Sequence, residues 1–174
     1  MTVTAFGSRV PRSTLMTVVR AGVTTAIVDG LFSSIVVVLY GSTVPRLWQG
    51  VAATLIGSGT LNGGTPTVLL GIAMHFCVAT TWSAIFVFAV SRSARIRGVL
   101  ASPGGVYKVA AVYGPAIWMV MSLVVIPALT HRPPRIWYRW WVQWFGHIPF
   151  VGLPIAMSVR RGLPVEEPAR SDEV

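Results

Sequence analysis

Residues 24–40, TTAIVDGLFSSIVVVLY, place a single carboxylate, Asp29, inside an otherwise uncharged apolar run, and the next acid in the chain is Glu166. Together with the residues before it, this run extends over 18–40. That length meets the roughly 20 residues an α-helix needs to cross about 30 Å of hydrocarbon. Comparable runs occupy 67–90 and 107–129, and a weaker fourth at 142–159 is interrupted by Pro149 and Pro154. Backbone polar groups in lipid must satisfy one another within the segment, and runs this long exceed what a barrel strand uses, so each is read as a helix. The expected fold is all-α: a four-helix transmembrane bundle with no separate soluble domain.

Composition agrees. Of 174 residues, 53% are hydrophobic and 11% charged, and the mean hydropathy is +0.68, more apolar side chain than one soluble core of this size buries. The net charge of +9 does not form a single basic stripe but flanks the apolar runs, so it reads as membrane topology rather than nucleic-acid recognition. Arg9 and Arg12 precede the first span and Arg20 lies at its start. Arg46 follows it, Arg92, Arg95, Arg97 and Lys108 surround the second loop, Arg132, Arg135 and Arg139 the third, and Arg160 and Arg161 open the tail. Taken by alternate segments, nine of these lie on the N-terminal side and four on the other, with the third loop running against the trend. The excess predicts cytoplasmic termini in a bacterial inner membrane.

The layout that follows is a cytoplasmic arm at 1–17, a four-span membrane domain at 18–160 and a disordered cytoplasmic tail at 161–174. The first segment is too long for an ordinary signal peptide and lacks an A-x-A-like cleavage site, so it reads as an uncleaved span. Between spans 1 and 2, Ser42 or Thr43 can cap a helix that Pro45 starts. Val44, Leu47, Trp48, Val51 and Leu55 recur at helical spacing, which predicts a short interfacial or re-entrant helix over 44–56. The glycines at 57, 59, 63 and 64 read as a turn, since no GK[ST] follows and no strand precedes. Trp137, Tyr138, Trp140, Trp141 and Trp144 read as an interfacial aromatic belt. The lone Cys77, inside an apolar run, reads as a small buried hydrophobe, and His131 as a solvated loop residue.

The polar residues inside the spans are the candidate site. At 1.5 Å per residue, Asp29 lies about 14 Å and His75 about 12 Å from the same membrane boundary, so the two can share a layer. His147, about 8 Å deep, is placed level with Ser122. Gly22, Thr25, Asp29 and Ser33 form one small and polar stripe on span 1. Gly71, His75, Ala79 and Trp82 form one on span 2, and Tyr107, Ala111, Gly114, Trp118 and Ser122 one on span 3. An Asp at this depth costs about 2.5–3.5 kcal/mol to insert and needs a partner, a proton or water. Three readings compete. Asp29 is an interhelical hydrogen bond worth about 0.6 kcal/mol, or a proton or cation site shared with His75 and His147, or His75 and His147 hold a metal or haem. The last is disfavoured by their depths and by the lack of a CxxCH. Tyr113 and Trp118 line a cavity or simply pack. No HExxH, GxSxG or paired acids occur, so no enzymatic activity is evident and no cofactor or metal is expected.

Gly71, His75 and Phe76 in span 2, with Tyr113, Gly114, Met121, Val124, Val125 and Pro127 in span 3, resemble the pattern of small four-span bacterial inner-membrane proteins of no established activity. The later VQWFGH, residues 142–147, is distantly similar to the YagU-type proteins. The resemblance covers about residues 20–160. It implies an inner-membrane location and no established activity, and the four spans imply contact with the lipid bilayer. Small residues on the helix faces also allow a homo-oligomer or a membrane-protein partner. Relatives carry Asn where this chain has Ser122. The function expected is therefore a small integral membrane protein with a transport, proton-site or stress-related role, and the alternative is a redox, metal or haem-binding protein.

Overall fold

The computed structural model describes residues 12–162, all of its regular structure helical. The elements are α1 (Arg12–Leu39), α2 (Val44–Ile56), α3 (Gly64–Arg92), α4 (Ala94–Ala101), α5 (Gly105–Thr130) and α6 (Tyr138–Gly162). Among the described residues four helices, α1, α3, α5 and α6, are long and apolar enough to cross a membrane. The protein is a multi-pass membrane protein with a short helix between its first two spans. Of the expected tail at 161–174, Arg161 and Gly162 end α6 and the rest lies outside the described residues, as does most of the arm at 1–17.

Each span shows why its sequence forms a membrane helix. On α1, Leu15, Val19, Val23, Ile27, Leu31 and Ile35 are exposed at four-residue spacing and make one lipid-facing strip. Gly22, Thr25 and Asp29 point inward, with Ser33 half-buried below them. α3 buries Gly71, Ala79, Ser83, Phe86 and Val90. Cys77 is exposed on α3, so it faces lipid rather than the core expected for it. A thiol is as acceptable to hydrocarbon as to packed protein, and its apolar neighbours do not separate the two.

On α5 the buried face runs through Val106, Ala110, Gly114 and Ile117. The stripe expected there is rotated by about one residue: Tyr107 and Ala111 are exposed, while Gly114 and Ser122 are buried. A helix that is apolar all round carries no polar face to fix its phase.

α2 begins as its sequence dictates, with the Thr43 side chain accepting from the Arg46 amide at 3.3 Å and Pro45 in the first turn. It buries Trp48, Gln49 and Ala52. The α2–α3 turn is tied by Arg46 Nη1 donating to the Leu61 carbonyl and Thr60 Oγ1 donating to that of Gln49. α4, not anticipated from the sequence, is capped by Ser93, whose hydroxyl accepts from the Ile96 amide. Arg97 meanwhile donates to the Val90 and Ser91 carbonyls at the end of α3. Leu100 of α4 completes a core formed with Phe86, Val90, Val106, Ile117, Val151, Ile155 and Val159.

The prolines leave two wide turns. Met121–Val125 and Ile148–Gly152 are π-helical, and each ends two residues before a proline, Pro127 and Pro154. A proline inside a helix removes an amide donor and presses on the carbonyl four residues back, and the extra residue of a π turn relieves that crowding. α6 therefore continues through Pro149 and Pro154 without breaking and begins at Tyr138, earlier than hydropathy suggests.

α5 and α6 meet backbone to backbone. A Cβ on Gly114 would collide with the His147 carbonyl, and one on Gly152 with the Ala110 carbonyl. Gly114→Ala should therefore push the helices apart and lower the thermal stability of the detergent-purified protein by about 1–3 kcal/mol. Gly50→Ala, in α2 with nothing within 4 Å of its Cβ, should stabilise by roughly 0.5–1 kcal/mol. Melting curves of the two variants that move in the same direction would contradict the close-packing argument.

Candidate functional site

Two polar clusters lie within the bundle. In the first, α1 and α3 bring His75 Nε2 to 3.8 Å from Asp29 Oδ2 and 3.1 Å from the Ala26 carbonyl oxygen. With its proton on Nε2, His75 donates to that carbonyl, the shorter contact, and Asp29 stands beside it as an electrostatic neighbour. Asp29 Oδ1 is buried with no partner among the described residues, and the same holds for Thr25 Oγ1 one turn away and for Ser83 Oγ on α3. Buried polar atoms without a partner are few in folded proteins, so two on adjacent turns of one helix mark this seam as unusual.

α2 closes the cluster. The Trp48 ring lies 5.2 Å from the His75 ring, and Gly30 leaves room for it, since a Cβ there would stand 3.3 Å from the indole. Gly71 lets the Trp48 backbone come down directly on α3, about 10 Å from the start of that helix. Trp48 was legible as part of an amphipathic helix, but its place over His75 was not.

In the second cluster, His147 Nδ1 contacts the Gln143 carbonyl at 2.8 Å, and its ring lies 5.0 Å from that of Trp118. Trp118 Nε1 donates to the Trp140 carbonyl at 3.1 Å, and Trp140 Nε1 donates to Ser122 Oγ at 2.9 Å. Trp140, read as one member of an aromatic belt, is 8% exposed and ties α6 to α5. Its spacing from His147, seven residues, was the available signal that both share a face. His147 packs on Trp118, one turn deeper than Ser122, because α6 begins at Tyr138. Tyr113 belongs to neither cluster: its hydroxyl donates to the Trp82 carbonyl at 2.7 Å, and its ring packs on Phe86.

No hydrogen bond among the described residues joins the two clusters. Among the described residues no three His, Cys, Asp or Glu converge as metal ligands. What the first cluster offers is one carboxyl and one imidazole 3.8 Å apart, with the Trp48 indole beside the imidazole.

Comparison with family models, with curated proteins and with solved structures finds no match to this chain.

The Ser122–Trp140 bond makes a direct test of interhelical polar contact. In a double-mutant cycle of Ser122→Ala and Trp140→Phe, the coupling energy should be about 0.6 kcal/mol and not above about 1.7 kcal/mol. Additive losses would mean that the bond contributes nothing to holding α5 against α6.

Proposed function

We propose that this chain is a small inner-membrane protein, without enzymatic chemistry, in which Asp29 and His75 form a proton-accepting site serving proton- or cation-coupled transport. The observation that carries the reading is the unpartnered, buried Oδ1 of Asp29, with Oδ2 3.8 Å from His75. A carboxyl kept only to tie two helices would be expected to place both oxygens against donors. Asp29 instead has one ionisable neighbour, no other carboxylate among the described residues and an indole over the pair. Residues of this kind within a span ordinarily serve ion or proton movement.

The arginine asymmetry supports cytoplasmic termini, with the α1–α2 turn and α2 on the opposite side. Under this arrangement Asp29 and His75 sit below α2, and Trp48 is the group between them and the outer solution.

Two measurements test the proposal. Asp29→Asn keeps a hydrogen-bonding side chain but cannot titrate near neutral pH, so it should fold like the parent. It should also lose the slowly exchanging carboxyl band in pH-titrated infrared difference spectra, together with any pH-driven proton flux in proteoliposomes. Asp29→Leu should in addition lower thermal stability, because His75 then loses its polar neighbour. An Asn variant with unchanged spectra and flux would leave Asp29 a structural residue only.

Orientation is tested separately, in a background with Cys77 replaced by Ala. Single cysteines at 57–64 should react with an impermeant maleimide in spheroplasts, and a cysteine near Arg95 should be protected. The reverse pattern would invert the topology.

A further inference from the structure

The arginines of the third loop are not explained by topology, since they lie at the end of the bundle where Arg46 is the only other basic residue among the described ones. That Arg139 is at this end is fixed by its guanidinium, stacked 4.4 Å over the ring of Tyr40 at the end of α1. Arg132, Arg135 and Arg139 rim a cavity of about 590 Å³ whose walls include Trp118, Ser122 and Trp140. Arg132 and Arg135 are exposed and have no hydrogen-bonding or ionic partner among the described residues. Arg139 is held in place by Tyr40 and by donating from Nε to the Tyr138 hydroxyl at 2.9 Å. The one carboxylate among the described residues, Asp29, is engaged with His75 instead.

We propose that this cavity binds the phosphate headgroup of an anionic phospholipid, with its acyl chains running out along α5. Each part of the site matches a part of that ligand. Guanidinium groups bind phosphate oxygens in paired, charge-assisted hydrogen bonds, and they are weakly hydrated enough to do so at a membrane boundary. The indoles of Trp118 and Trp140 in the cavity wall accept glycerol and the first methylenes. Ser122 Oγ, which accepts from Trp140, keeps its own hydroxyl proton available to an ester oxygen. The volume falls within the roughly 300–1,000 Å³ of ligand pockets, enough for a headgroup and backbone but not for whole chains. The cavity also sits beside the π turn Met121–Val125, which turns Ser122 inward. An aromatic belt alone accounts for the tryptophans; it does not account for three guanidinium groups around a cavity on the side otherwise poor in positive charge.

The test uses the full chain, purified in detergent and placed in nanodiscs. Phosphatidylglycerol should be retained as a native mass-spectrometry adduct and raise the melting temperature, whereas phosphatidylcholine should do neither. The double variant Arg132→Gln, Arg135→Gln, at exposed positions with no folding role, should lose phosphatidylglycerol affinity by tenfold or more. Arg160→Gln with Arg161→Gln, at the other end of the bundle, should leave it within twofold. Equal retention of the two lipids would overturn the proposal. So would an equal loss in both double variants, which would indicate only a general charge effect. Inorganic phosphate that stabilises the parent as well as the lipid would replace the lipid with a free anion.

Discussion

Apolar contact between two helices gains little over contact with lipid, so a membrane bundle is held by how closely its backbones can approach. In this protein the approach is made at glycines. Gly114 and Gly152 bring α5 and α6 together, Gly22 seats α1 on Thr80 of α3, and Gly71 seats Trp48 of α2 on the same helix. Everything polar in the interior is arranged around these contacts. The Ala26 carbonyl that receives His75 lies one turn from Gly22. Trp48 reaches His75 only because its own backbone rests on Gly71. A side chain at either glycine would move the polar groups before it touched them.

The prolines act on the same constraint. Gly152 is the last residue of the π turn that precedes Pro154, and it is also the residue that packs on the Ala110 carbonyl. The widening that accommodates the proline therefore coincides with a backbone-to-backbone contact of α6 with α5. On α5 the corresponding turn carries Ser122 to the Trp140 indole. Both wide turns thus serve the α5–α6 interface. A continuous α-helix through the same sequence would shift every residue beyond the turn by about 100° around the axis.

The four spans and α2 were legible because length, hydropathy and the Thr43–Pro45 start are local properties. The stripe on α1 was legible because its outer face is large and aliphatic while its inner face is small and polar. Facing directions on α5 were not, since Tyr107, Ala111, Val106 and Ala110 are all acceptable to lipid and to core alike. Cys77 illustrates the same degeneracy on α3. The start of α6 was obscured by the arginines and tryptophans of residues 132–144, which lower hydropathy without ending a helix. For the same reason Trp140 was indistinguishable from its neighbours at the boundary. Nothing in a linear pattern separates an indole that anchors in headgroups from one that bonds across a helix pair.

The isolation of Asp29 constrains what its seam can do. Arg20, nine residues away on α1, is the nearest cation along that helix, and its guanidinium is directed to the Ser158 carbonyl at 2.8 Å. His75 is then the only ionisable group in contact with Asp29 among the described residues. The pair carries no net charge with one proton on the carboxyl and a neutral imidazole, or with a carboxylate and an imidazolium. Either form is tolerable in hydrocarbon, while a net charge of one sign is costly unless a counter-ion or water accompanies it. Adding or removing a proton therefore requires a compensating ion or a route to water. On the α2 side of the pair the Trp48 ring lies 5.2 Å from the His75 ring, and glycines of positive φ, Gly41 and Gly57, flank that helix.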